Sequence, residues 1–217
     1  MTERIRKAPR QAEADRNDRA LLDAAQEVLA VDGPRASVAA IAARAGVGIG
    51  SLYRRYRTKD DLFQRLCVVA LDRWIAAAEE GLAYDDPWEG LAHYVTACVA
   101  SRAGSLAPLA GAIAVTDQMM AKFKKSDVAT DALLDRAHAA RVLRSDATSL
   151  DITALIAQLS KRDQLELTAA ERNARTRVIA IALDGLRAGQ GGPLPGYPPG
   201  DDLFAERWSP QPMDTES

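Results

Sequence analysis

The chain has 217 residues, 47% of them apolar and 27% charged, with a formal net charge of −2. That length suits one large domain or a small and a medium one, and the composition excludes a disordered, collagen-like or disulfide-built chain. No apolar run approaches the ~18–20 residues of a membrane span, and the basic N-terminus lacks the apolar core of a secretory signal.

The charge is unevenly distributed. Residues 1–65 carry 13 Lys/Arg against 9 Asp/Glu, and residues 66–217 carry 15 against 21. A basic front and an acidic back fit a head that meets nucleic acid on a body that does not. The two cysteines, Cys67 and Cys98, lie in apolar helical patterns and read as reduced, buried thiols. Together these features point to a cytoplasmic protein with no membrane partner.

In chain order, residues 1–16 are polar and charged, contain Pro9, and read as a flexible basic arm. Its Arg4, Arg6, Lys7 and Arg10 suit either an adjacent minor groove or solvent. From Asn17 to Asp32 the residues Leu21, Leu22, Ala25, Val28 and Leu29 fall on one helical face, and Gly33–Pro34 stops the helix. Ser37 is an N-cap for a second helix to about Ala45, with Gly46 at its end, and a third short helix covers about Gly48 to Tyr53. Thr58 caps a long helix to about Leu82, with Asp60 and Asp61 in its first turn.

Asp85–Asp86–Pro87 starts the next helix, which carries Leu91, Tyr94, Val95, Cys98 and Val99. After a turn near Gly104–Pro108, an apolar stretch runs from Leu109 to Phe123, and Ser126 or Asp127 is expected to cap a further helix. Asp151 is expected to cap one with Ile152, Leu155, Ile156 and Leu159 at i, i+3, i+4, i+7. Thr168 and Glu171 form a capping box for the last helix, which ends near Ala188. Six of the ten prolines fall in residues 189–217, which read as a Gly/Pro-rich tail, with Leu203, Phe204 and Trp208 available to dock it. The fold class is all-α: arm 1–16, three-helix head 17–58, helical body 59–188 and tail 189–217.

The informative stretch is Ser37 to Lys59. Two short helices meet at Gly46, their angle set by Ile41, Ala42, Val47 and Leu52, and donors cluster outside at Arg44, Ser51, Tyr53, Arg54, Arg55 and Lys59. A helix-turn-helix needs that arrangement: its second helix enters the major groove while the first crosses the backbone. The order Ser37, Ile41–Ala42, Ala45–Gly46–Val47, Leu52–Tyr53, Arg54–Arg55–Tyr56 and Thr58–Lys59 resembles the TetR family of transcriptional regulators over roughly residues 18–66. The resemblance implies that Ser37, Tyr53 and Lys59 touch phosphates and that the third helix contacts bases. Arg55 and Arg57 replace the family's frequent His and Pro, and both add positive charge. Gly48, Ile49 and Gly50 leave the recognition helix few groups that read base edges, beyond Ile49 on a thymine methyl or an Arg on guanine. The candidate DNA-binding set is Ser37, Arg44, Gly48, Ile49, Gly50, Ser51, Tyr53, Arg54, Arg55 and Lys59. GVGIGS is no dinucleotide loop, because an Ala-rich helix rather than a buried strand precedes it.

The resemblance further implies a homodimer on a double-stranded operator and a small-molecule pocket in the body. Tyr94, Cys98, Arg102, Met119, Met120, Phe123 and His138 are the candidate lining, a Met-bearing surface for an apolar or amphipathic effector. The last helix is apolar on most sides around Val178, Ile181 and Ala182 and so must bury two faces. With Ile152, Leu155, Ile156 and Leu159 it would complete a four-helix interface. His93 and His138 are too separated for a metal site, no cofactor is called for, and no zinc, nucleophile-elbow or phosphate-loop motif marks an enzyme. The expected function is a transcriptional regulator, a repressor released by effector. The alternative is a helical scaffold whose helix-turn-helix does not act on DNA, against which the charge at Arg54, Arg55 and Lys59 argues.

Overall fold

The described residues form eight α-helices, six of them opened by a side-chain cap. A computed structural model describes residues 2–161, 166–189 and 191–200. The helices are α1 (Thr2–Asp32), α2 (Val38–Arg44), α3 (Ile49–Arg55), α4 (Lys59–Leu82), α5 (Pro87–Ala100), α6 (Asp117–Ala139), α7 (Ser149–Ser160) and α8 (Ala169–Leu186). Short 3₁₀ turns cover Gly33–Arg35 and Ala103–Leu109. Among the described residues the only β pairing is an isolated antiparallel bridge between Leu143 and Arg187.

The caps show why the helices start where they do. Ser37 accepts from the Ala40 amide. Thr58 and Asp61 form a reciprocal capping box, as do Thr168 and Glu171. The Asp86 carboxylate accepts from the amides of Trp88 and Glu89, with Pro87 at the first helical position, where no amide donor is required. Gly46 closes the α2–α3 turn at φ +68°, a conformation glycine adopts without penalty.

Three boundaries differ from the sequence expectation. The backbone is helical from Thr2, so the stretch set aside as an arm is continuous with α1; its Ala, Arg, Gln and Glu residues favour helix. Ser126 and Asp127 do not cap: Thr116 does, and Ser126 lies buried inside one unbroken α6. Thr148 rather than Asp151 caps α7, with Asp151 completing the box from the third helical position. Both misassigned carboxyl or hydroxyl groups are strong cap formers in isolation, and a Thr three or more residues upstream outcompetes them. The docking residues Leu203, Phe204 and Trp208 lie outside the described residues.

Two apolar cores share α4. The first joins Leu21, Val28 and Leu29 of α1, Ile41 of α2, Leu52 of α3 and Phe63 and Leu66 of α4 with Leu106, Leu109, Ile113 and Met119 of the body. The second joins Ala77 and Ala78 of α4 with residues of α5, α6, α7 and Leu186 of α8. The head is therefore seated on body side chains, and α4 contributes to both cores.

Where α4 crosses α5, two glycines touch. A Cβ on Gly90 would lie 2.2 Å from the Gly81 carbonyl oxygen, and one on Gly81 would lie 2.6 Å from the Gly90 carbonyl oxygen. Gly90→Ala is expected to force the helices apart and cost about 1–3 kcal/mol, seen as a fall of several degrees in thermal midpoint; an unchanged midpoint would show that the crossing is looser than its geometry.

Candidate nucleic-acid interface

The second helix of the pair presents its outer side to solvent. Leu52 is fully buried and Tyr56 nearly so, whereas Ile49 and Tyr53 are about half exposed, at 48% and 47%. Gly48, Gly50, Ser51, Arg54 and Arg57 are also exposed, as is Ser37 at the start of α2. Neither glycine is required by internal packing: a Cβ on Gly48 meets nothing within 4 Å, and one on Gly50 meets only an Arg54 nitrogen at 4.0 Å. Glycine inside a helix costs up to ~1 kcal/mol against alanine, a cost that packing does not explain at Gly50, whereas Gly48 is the N-cap of α3, where glycine is tolerated. Arg54 folds back to donate to the Ser51 hydroxyl at 2.7 Å. Lys59 stands 5.1 Å over the Phe63 ring.

Two arginines assigned to DNA are held within the chain. Arg44 donates to Glu27 at 2.6 Å and to Glu166 at 3.1 Å, which turns it towards the seam between head and body. Arg55 pairs with Asp18 at 3.0 Å while keeping half its side chain exposed. Spacing within α2 and within α3 puts Arg44 and Arg55 on the outer sides of their helices; acidic groups on α1 and beyond α7 then claim them. Exposed Arg57, directly after α3, adds a cation that the sequence-derived set omits.

Asp18 is the functional residue that sequence reasoning missed. Its carboxylate accepts from the Tyr56 hydroxyl at 2.6 Å and from Arg55, tying the end of α3 to α1. Burial opposes its ionisation, but hydrogen bonds from Arg55 and Tyr56 and the charges of Arg55 and Arg65 outweigh that, so its pKa falls below the ordinary carboxylate value. Burial pushes the Tyr56 hydroxyl up, so it remains a donor. A carboxyl with a depressed folded pKa stabilises the fold above its unfolded value, about 3.9, and that contribution fades as pH falls through the folded value. Asp18→Asn is expected to cost about 1–2 kcal/mol at neutral pH. The gap between variant and wild-type urea midpoints should close as pH drops below about 4; a gap constant across that range would sink the assignment.

The seven candidate pocket residues fall in separate surroundings. Tyr94 and Cys98 are fully buried in the second core, with the Tyr94 hydroxyl 2.9 Å from that of Thr130 and Trp74 edge-on to its ring. Met119 is buried in the first core, Phe123 packs against it, and Met120 is 52% exposed. Arg102 pairs with Glu27 at 3.1 Å. His138 bonds the Arg144 carbonyl and lines an open cleft of about 640 Å³ between the α6–α7 connection and Ala188, Gly189, Gly191, Gly192 and Pro193. Local spacing placed these side chains on consecutive helices, but the helix crossings turn them to different sides. Burial pushes the Cys67 thiol up to about 12 and raises Cys98 as well, so neither is a reactive thiolate.

Of the residues expected on a dimer face, Ile152 and Ile156 are wholly buried within the chain and so are not available to meet a second copy. Leu155 and Leu159 are half-buried. On α8, Ile179, Leu183 and Leu186 turn inward to the second core, while Val178 and Ile181 are exposed at 50% and 67%, with Ala182 half-buried beside them.

A three-helix head with an exposed cationic recognition helix, seated on a helical body, defines a DNA-binding transcriptional regulator. Residues 21–66 match the family described as bacterial regulatory proteins, tetR family, and residues 86–188 match the C-terminal domain of SbtR-like transcriptional regulators. The chain belongs to the TetR family. It is similar to the TetR regulator SCO0520 of Streptomyces coelicolor, at 28% identity and TM-score 0.55 over 79% of this chain and 99% of that one. A TetR regulator of Mycobacterium vanbaalenii shows 27% identity and TM-score 0.55 over 82% and 99%. LfrR of Mycobacterium smegmatis, solved in complex with proflavine, shows 26% and 0.50 over 70% and 99%. No curated protein matches the chain. Among the described residues no helix is long and apolar enough to cross a membrane, and no cluster of His, Cys, Asp or Glu is arranged to hold a metal.

Proposed function

We propose that the protein is a homodimeric, cytoplasmic repressor that leaves its operator when a small amphipathic effector occupies the body. The observation that carries this reading is the outward edge of α3 and its flanks, where Ile49, Ser51, Tyr53, Arg54 and Arg57 stand exposed over a packed head. Ser37, Tyr53, Arg54 and Lys59 hold phosphates; Ile49 meets bases across the space left by Gly48 and Gly50. Val178, Ile181 and Ala182 of α8 meet the same residues of a second copy, and Gly185, where a Cβ would meet nothing within 4 Å, lets the helices close. The seating of the head on Leu106, Leu109, Ile113 and Met119 gives a body ligand a mechanical route to head spacing. An effector acts only through its difference in affinity for the two head spacings. The proflavine complex of LfrR supports a body that accepts small organic molecules.

Nuclease footprinting of the DNA flanking the gene tests the reading. The expected result is a protected stretch containing two related half-sites about one helical turn apart. Uniform weak protection of all DNA would remove sequence-specific regulation.

A further inference from the structure

At the seam between head and body lie three guanidinium groups, of which Arg44 and Arg102 share two carboxylates among the described residues and Arg175 pairs with none. Arg102, on a backbone held at φ +54°, pairs through Nη1 with Glu27, which Arg44 of α2 also grips. Arg44 has a second partner in Glu166, but that carboxylate is 79% exposed. Arg175 of α8 donates to the carbonyls of Leu159 and Lys161, bracketing Ser160 at the end of α7. Burial and the nearby charge of Arg102 both make Arg175 less basic than usual.

Two donors remain. Ser160 is fully buried, and among the described residues its hydroxyl has no partner; the buried Arg102 Nε has none either. The segment carrying Arg102 presses directly on α7: a Cβ on Gly104 would lie 2.7 Å from the Ala157 Cα and 2.8 Å from the Ile156 carbonyl oxygen. Ser160 is one helical turn beyond Ile156. Unpaired buried donors beside surplus positive charge are what an anion satisfies, and leaving them unmade is costly.

We propose that Arg102, Arg175 and Ser160 form an anion-binding site for the carboxylate or phosphate group of the effector, and that this anion competes with Glu27 for Arg102. The proposal rests on the effector-released repressor reading and gives that effector its charge. It also supplies a coupling step. Glu27 ties the body, through Arg102, to α2 of the head, through Arg44; an anion on Arg102 releases the body side of that tie and leaves Glu27 with Arg44 alone. The gain in head freedom is bounded by the difference in anion affinity between the tied and untied states.

Thermal-shift titrations of the full chain with decanoate, decanol and inorganic phosphate, at constant ionic strength set with chloride, test the site. Decanoate is expected to stabilise the protein where decanol does not; a response to phosphate alone identifies an inorganic ligand of the same site. Ser160→Ala is expected to weaken the anion response about tenfold, the loss of one charge-assisted hydrogen bond, while leaving the unliganded midpoint unchanged or higher. Arg175→Gln is expected to weaken it at least as much. Glu27→Gln is expected to strengthen it, because the competitor is gone, a change that a purely structural role of Glu27 would not produce. The proposal fails if decanol matches decanoate, or if Ser160→Ala and Arg175→Gln respond as wild type. Gel shifts of the same variants without added anion read operator binding independently. A protein that binds its operator but ignores every anion loses this site and keeps its regulatory role.

Discussion

Ile181→Glu is expected to give a 23.3 kDa monomer at micromolar concentration, where the wild type is expected to sediment at twice that mass, and to weaken operator binding at least about 100-fold. Ile181 is two-thirds exposed on the single chain and lies on the side of α8 that turns away from the second core. An exposed apolar patch marks a surface suited to a partner. A carboxylate at its centre would be buried without a partner on dimerisation, costing several kcal/mol. The fold should be spared, since the inward contacts of α8 run through Ile179, Leu183 and Leu186. Operator binding then falls because one head engages one half-site and loses the tether that raises the effective concentration of the second. Sedimentation equilibrium and gel shift on the same sample check both halves of the expectation. A variant that stays dimeric would move the interface off α8. A monomer with undiminished affinity would detach dimerisation from recognition.

Arg54→Ala/Lys59→Ala is expected to lower operator affinity roughly 100-fold near physiological salt, about two charge-assisted hydrogen bonds of ~1.5 kcal/mol each. The slope of log affinity against log salt should become shallower by about 1.8, since each phosphate neutralised on duplex DNA contributes ~0.9. Both side chains lie at the solvent edge, Arg54 on Ser51 and Lys59 over Phe63, so the head should keep its stability. The salt slope is the discriminating readout: side chains that read bases and leave phosphates untouched would, when removed, lower affinity at an unchanged slope. Equal affinity and equal slope for variant and wild type would relocate the DNA face. Arg44→Ala makes the contrast. Its guanidinium is engaged by Glu27 and Glu166, so its removal should act on the head–body seam and leave the salt slope near the wild-type value.

The helix-turn-helix was legible because its signals are local. Ser37, Thr58 and Thr168 satisfy amides three residues on, Gly46 takes a left-handed turn, and Leu52 and Tyr53 are separated by the helical period into buried and exposed sides. Each such choice rests on groups within about one helical turn, which the order of residues already places together. The same reasoning erred where two good caps lay close, as at Thr148 and Asp151, because the choice turns on which one the completed helix leaves outside.

The partners of Arg44 and Arg55 were not legible. Glu27 and Asp18 lie 17 and 37 residues away along the chain, and only the crossing of α1 over α2 and α3 brings them within 3.0 Å. The sharing of the head's core with Leu106, Leu109, Ile113 and Met119, the Gly81–Gly90 contact and the convergence of Arg102, Arg175 and Ser160 have the same origin. Amino-acid order settles that the chain is helical, which side of each helix is apolar and the caps that have no close rival, because those follow from spacing within a turn. Which side chains from distant helices meet depends on crossing angles, and those come from packing many side chains at once.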